Sequence, residues 1–168
     1  MMFCPRESCK RIASSFPSFT LGSHTLQYVK RFRYLGHIIN DRFNDDDDIL
    51  REVRNLFIRT NMLISRFNKC STIIKVKLFK AYCLCIYDMA LWQRYTMVTI
   101  NKMKSCYHKC IKKLFCYARM DSITGILYDL KLPSFDTLVH NCTYGYRLQC
   151  SSTNNLIIQH FICSGCDL

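Results

Sequence analysis

The sequence predicts an α+β fold that is mostly α: a small N-terminal β unit followed by a helical bundle. Three observations carry this. Strand-like runs and turn glycines crowd into residues 19–40. Helical periodicity then governs residues 45–148. Finally, the two kinds of element come in blocks rather than alternating, which segregates them into layers.

Phe19-Thr20-Leu21 and Thr25 to Val29 flank Gly22-Ser23, a hairpin signal in which glycine supplies the positive φ of a tight turn. Phe32 to Ile39 reads as one further strand, with Gly36 marking a bulge or a close backbone approach. Asn44-Asp45-Asp46-Asp47-Asp48 then opens a helix, since acids suit the positive end of a helix dipole. That helix is expected to run to about Asn68. Ile49, Val53, Leu56, Leu63, Ile64 and Phe67 share one face, with Arg51, Arg54, Arg59, Arg66 and Lys69 opposite.

Ser71 is expected to cap a second helix reaching about Tyr95. It is apolar nearly all round after its first turns, so its Ala81–Trp92 stretch should be the most buried helix. Leu84, Ile86 and Leu91 are expected to pack there against Ile111, Leu114 and Leu127. Thr99 is the expected cap of a third helix, with Ile100, Met103, Tyr107, Ile111 and Leu114 inward and Lys102, Lys109, Lys112 and Lys113 outward. Asp121-Ser122 opens a short helix through Leu130, stopped by Leu132-Pro133. Ser134 caps a fifth, with Phe135, Leu138, Val139 and Cys142 inward. The expected organisation is a lead-in over 1–18, a β unit over 19–40, a helical domain over 45–148 and a frayed tail over 149–168.

Charge is the strongest functional signal. Lys and Arg number 24 against 12 acids, a net +12 over 168 residues. Residues 71–120 hold ten Lys/Arg and only one acid, Asp88. Such a surplus favours a polyanionic partner, because basic groups meeting phosphates release condensed counterions. The twelve cysteines do not by themselves imply disulfides. No charged-then-apolar leader precedes them, so an intracellular, cytoplasmic or nuclear setting with reduced thiols is expected. The longest run with little charge, Ala81 to Gln93, is too short to span a bilayer, so no membrane partner is expected.

Phe32-Arg33-Tyr34-Leu35-Gly36-His37-Ile38-Ile39 resembles the "F-[KR]-Y-L-G-x-x-I" box of non-LTR (LINE-type) retrotransposon reverse transcriptases. Later blocks follow in the family's order: Asn61-Met62-Leu63, Lys77 to Cys83, Leu91-Trp92, Ile111 to Phe115 and Leu132-Pro133-Ser134-Phe135. Met2-Phe3 is similar to the end of the family's "M-x-F" strand. The resemblance implies a segment from the palm–thumb junction into a thumb-like helical region. It also implies a remnant without the catalytic aspartates, which in the family lie upstream of the Tyr34-Leu35-Gly36 box; the only acid before Asp41 is Glu7. No enzymatic activity, small-molecule substrate or cofactor is expected of such a remnant, Mg²⁺ serving only a full-length enzyme. The expected partner is RNA or DNA backbone, bound without sequence preference by Arg51, Arg54, Arg59, Arg66, Lys102, Lys109, Lys112 and Lys113. The rival expectation is a helical interaction module or a non-functional fragment.

Other motifs read as structure. Phe43-Asn44-Asp45-Asp46 has the spacing of a polymerase "[YF]-x-D-D" box, whose carboxylates would help hold two metal ions. It follows the Tyr34-Leu35-Gly36 box and runs into a helix, so a solvated helix-start acid run is expected. Cys163-Ser164-Gly165-Cys166 is half of a zinc ribbon with no second pair at ligand spacing. Cys106, His108 and Cys110 do not share one metal on a helix, because i and i+2 point apart. Trp92, Tyr82 and Tyr87 could stack bases but are expected in the core.

Overall fold

A computed structural model describes residues 18–163. The expected lead-in lies almost wholly outside them, as do Met2-Phe3 and Ser164 to Cys166. The architecture is α+β and mostly α: two antiparallel hairpins, then helices. The chain divides into two compact units. Among the described residues, 18–54 and 93–103 form the first, and 55–92 and 104–163 the second.

In the first unit, β1 (Phe19–Leu21) pairs with β2 (His24–Leu26) in the register Phe19↔Leu26, Thr20↔Thr25 and Leu21↔His24. Gly22 takes φ +62°, as its turn requires. The strand expected over Phe32–Ile39 is instead a second hairpin, β3 (Arg31–Tyr34) with β4 (His37–Asn40). Leu35 at φ +49° and Gly36 at φ +96° form its turn. Two successive positive-φ residues match the right-handed strand twist of a two-residue hairpin. Gly36 therefore reverses the chain where a bulge or a close backbone approach was expected.

Helix α1 (Asp46–Phe67) begins where the acids predicted. Its buried stripe is Ile49, Glu52, Leu56, Thr60 and Leu63, flanked by buried Asp48. Val53, Ile64 and Phe67 are only half-buried. The acid run is not merely solvated, because it holds the first unit together. Asp45 Oδ2 accepts the backbone N–H groups of Gln93 and Arg94, both at 2.9 Å. Asp46 Oδ1 accepts from Thr96 N at 2.9 Å and from its hydroxyl at 3.1 Å. Asp48 accepts from Ile38 N at 3.0 Å and Arg51 Nε at 2.8 Å. Asn40 completes the β4–α1 connection: its Oδ1 accepts from Arg42 N and Asn44 N, satisfying backbone that no sheet or helix pairs. Fixing Thr96 also starts α3 (Met97–Leu114) three residues earlier than a Thr99 cap would. Thr96 Oγ1 accepts from Thr99 N at 3.3 Å, and Thr99 is buried inside the first turn.

The second unit departs most from expectation between residues 82 and 92. Helix α2 (Thr72–Tyr82) follows Ser71 as predicted, although the Ser71 side chain makes no cap bond. It ends at Tyr82 rather than near Tyr95. Cys83 N and Leu84 N both donate to Phe79 O, Ile86 leaves helical geometry, and a single 3-10 turn covers Tyr87–Leu91. The buried residues here are Cys83, Ile86, Met89 and Trp92, a spacing of three. An α-helix drifts by about 60° at each three-residue step, whereas a tighter path keeps such residues on one side. Cys83 is fully buried, but Leu91 is 45% exposed and Leu84 half-buried, so this stretch is not the most buried helix. Tyr82 is exposed, whereas Trp92 is in the core as expected.

That core gathers Leu56, Leu63, Phe79, Tyr107, Ile111, Leu114, Ile126 and Phe135. The Tyr107 ring lies between Phe79 and Phe135, at centroid distances of 6.1 Å to each. Its hydroxyl donates to Pro133 O at 2.7 Å, so the buried phenol is satisfied. Helix α4 (Ile123–Asp129) buries Ile126, and Leu130 and Leu132 after it are also buried, while Leu127 is half-buried. The chain turns through Lys131 at φ +50°, where Leu132 N donates to Leu127 O, before Pro133. Helix α5 (Phe135–Ser152) carries the predicted cap: Ser134 Oγ accepts from Thr137 N at 3.1 Å. Phe135 is buried; Leu138, Val139 and Cys142 are half-buried. Among the described residues, the expected frayed tail is helical through Ser152 and again from Leu156. Helix α6 (Leu156–Cys163) starts at Asn155, whose Oδ1 accepts from Ile157 N at 2.9 Å. Of the Ser/Thr/Asn residues from 149, Asn155 thus acts as a cap, while the Ser151 and Ser152 hydroxyls donate back to Arg147 O and Gln149 O within α5.

Candidate nucleic-acid interface

The eight basic residues singled out by the sequence separate into two groups. Four are exposed with no partner among the described residues: Arg54 and Arg66 on α1, Lys102 and Lys109 on α3. Lys102 and Lys109 are seven residues apart on one helix, which returns them to the same side after two turns. Met103, Cys106, Tyr107, Cys110, Ile111 and Leu114 take the buried side, so the helical period leaves these two lysines in water.

The other four, Arg51, Arg59, Lys112 and Lys113, make intramolecular contacts with which a phosphate would have to compete. Arg51 is half-buried; its Nε meets Asp48 Oδ1 at 2.8 Å and its Nη1 lies 3.5 Å from Glu52 Oε2. Asp48 is fully buried, so Arg51 helps to balance its charge in low dielectric, beside His37 Nδ1 at 3.1 Å from the other carboxylate oxygen. Arg59 is half-buried and donates to Cys85 O at 3.3 Å and Asn55 O at 3.4 Å. It thereby satisfies a carbonyl in the segment where α2 has ended. Lys112 Nζ donates to Arg119 O at 2.8 Å and Asp121 O at 2.7 Å, closing the turn after α3. Lys113 is exposed, but its ammonium holds Asn61 Oδ1 at 2.7 Å.

Further exposed cations lie outside that set. Lys77 and Lys80 on α2 are exposed, with no partner among the described residues. Their place in the acid-poor stretch 71–120 and in the first turns of α2 signalled them. Lys104 is different, since it pairs with Asp136 at 2.6 Å. His108, one turn along α3, has its pKa lowered by burial and by Lys104 and Lys112, so it adds no positive charge at neutral pH.

In the first unit, a polar recess of about 380 Å³ is lined by Lys30, Arg31, Asp41, Arg42, Asp46 and Asp47 with Asn40 and Asn44. Its three cations and three carboxylates cancel, so it offers no net field to an anion. The carboxylates of Asp45 and Asp46 are occupied by the backbone of residues 93–96. Comparison with family models, with curated proteins and with solved structures finds no match. Among the described residues, no helix is long and apolar enough to cross a membrane.

Proposed function

We propose that this chain corresponds to the region beyond the palm of a non-LTR reverse transcriptase, and that it binds nucleic-acid backbone without sequence preference. One observation carries the binding: Lys102 and Lys109 stand exposed on one side of α3 with no partner among the described residues, within a stretch of ten Lys/Arg and one acid. Point charges of this kind meet phosphates and position a duplex; they do not read base edges. The family assignment rests on the Tyr34-Leu35-Gly36 box and the ordered blocks after it. In this reading the stretch performs no chemistry, takes no cofactor and works inside the cell, in cytoplasm or nucleus.

The test is fluorescence anisotropy of the full chain with labelled duplex DNA and RNA–DNA hybrid of two unrelated sequences, over a salt series. Affinity should fall steeply with salt and change little with sequence. A folded chain that binds neither duplex, or whose affinity ignores salt, would refute the proposal.

A second reading, a helical interaction module, is favoured by the hairpins. Leu21, Phe32, Tyr34 and Leu35 are all more than half exposed, with Leu35 at 89%. Clustered apolar exposure of this kind marks surfaces that other macromolecules cover. Salt-insensitive self-association or protein capture, lost in Leu35→Ser/Phe32→Ser, would support this reading in place of nucleic-acid binding.

A further inference from the structure

Among the described residues, each hairpin of the first unit is a sheet of two strands, so every strand has an outer edge. The edges are not equally available. In a hairpin closed by two residues, the pair flanking the turn exchanges both backbone hydrogen bonds, and such pairs alternate along the ladder. Leu21↔His24 and Tyr34↔His37 are those flanking pairs. The residues between hydrogen-bonded pairs turn their N–H and C=O groups outward: Thr20 on β1, Thr25 on β2, Arg33 on β3 and Ile38 on β4. Ile38 bears out this alternation, since its outward N–H donates to Asp48 Oδ1 at 3.0 Å.

The β4 edge is thus closed by the start of α1. The β3 edge is guarded by charge, because any two-fold pairing centred between Arg31 and Arg33 sets arginine across from arginine. The β1 edge has neither barrier. From Ser18 to Val29 there is no Lys, Arg, Asp or Glu, although 21% of the chain is charged. Edge strands are usually protected by such charges, by proline or by a bulge.

The β1 sequence is also self-complementary. A two-fold axis at Thr20 pairs that residue with its own copy through both outward groups, and sets Phe19 across from Leu21 on either side. Those flanking pairs are not hydrogen-bonded, with about 4.5 Å between Cα atoms, the spacing at which side chains meet most closely. Phe19 is 43% exposed and Leu21 71%, so both have apolar surface to cover. The same operation on β2 sets His24 across from Leu26, a poorer match.

We infer that β1 is a self-association edge, at which two copies of this chain join β1 to β1 antiparallel about Thr20. Two two-stranded hairpins, each marginal in water, then become one four-stranded sheet. The inference stands apart from nucleic-acid binding, and it uses a different hairpin from the one that exposes Phe32 and Leu35. The contact is short and is largely offset by the lost freedom of two bodies, so the dimer is weak, with a Kd on the order of 100 μM. Each copy carries a net +12. Salt screens that repulsion, so association strengthens with salt, opposite in sign to phosphate binding.

Sedimentation equilibrium of the full chain, freed of nucleic acid and kept reduced so that exposed Cys116 forms no disulfide, tests this at low and high salt. Loaded to several times that Kd, the chain should dimerise, more so at high salt. Thr20→Pro removes an outward N–H that β2 does not use, and should raise Kd about tenfold or more. Leu21→Lys, at an exposed position, should do the same by placing charge against Phe19. Thr25→Pro, on the opposite edge, and Phe32→Ser/Leu35→Ser should leave Kd unchanged. A chain that stays monomeric at both salt concentrations would overturn the inference. So would Thr20→Pro and Leu21→Lys chains that dimerise as the parent does, or a dimer that Thr25→Pro or Phe32→Ser/Leu35→Ser breaks.

Discussion

Removing Lys102 and Lys109 together measures how much of the positive charge is available to a polyanion. Both ammonium groups are exposed, and no described residue competes with a phosphate for them. Each phosphate contact contributes about −0.9 to the slope of log K against log salt on duplex DNA, so Lys102→Ala/Lys109→Ala should flatten it by about 1.8. Between 50 and 200 mM salt that removes about a tenfold share of the parent chain's loss of affinity. Stability should hardly change, because solvated lysines lose little on truncation. Arg51→Ala/Arg59→Ala, which also removes two positive charges, should do the opposite. Its salt slope should stay near that of the parent while the fold weakens by about 3 kcal/mol or more, because buried Asp48 loses its cation and Cys85 O loses its donor. Anisotropy titrations at four salt concentrations, paired with urea melts, separate the two outcomes. If both double variants lower the slope equally, net charge alone governs binding. The distinction between exposed and structural cations then has no functional meaning.

Asp45→Ala/Asp46→Ala should destabilise the chain by about 2–4 kcal/mol in a urea melt, since charge-assisted bonds hold residues 93–96; a change below 0.5 would contradict that role. Tyr107→Phe should cost about 1–2 kcal/mol by leaving Pro133 O without its buried donor, and retained parental stability would show the bond is dispensable. Gly36→Ala should lower stability by about 1 kcal/mol through strain at φ +96°, read as a drop in Tm, while Gly125→Ala, at a helical position with open space around it, should not lower it. His108 has a folded pKa below its ordinary value near 6.5, so the unfolded chain binds its proton more readily. Stability should therefore be full above that value, decline as pH falls through it toward the lowered folded pKa, and then level. His108→Gln should remove that component of the pH profile of urea midpoints.

Local rules made several elements legible. Gly22-Ser23 between two short β runs specified the first hairpin, the aspartate run set the start of α1, and Ser134 supplied the α5 cap. The periods of α1 and α3 divided core from surface, including the outward Lys102 and Lys109. Each of these depends on residues within a few positions of one another. The reading failed where distant residues compete for a backbone or a charge. Leu35-Gly36 is the exception: it closes a hairpin between neighbours, Arg31 to Tyr34 with His37 to Asn40, where the run was read as one strand. The apolar run after Tyr82 leaves the helix because its burial recurs every third residue, an outcome no local propensity encodes. Thr96 displaces Thr99 as a cap because Asp46, 50 positions earlier, fixes it.

The sequence by itself determined the α+β class, most helix starts, the basic middle of the chain and which helix sides face water, because period and capping act over single turns. Only the tertiary structure decided which cations remain available to a phosphate. Arg51, Arg59, Lys112 and Lys113 have the same chemistry and helical periodicity as Lys102 and Lys109, yet they spend their donors on Asp48, Cys85, Arg119, Asp121 and Asn61. An ammonium or guanidinium placed beside an unsatisfied carbonyl or a buried carboxylate is held there by the cost of leaving that oxygen unmatched. Whether such an oxygen lies within reach depends on where the chain returns, which no stretch of sequence states locally.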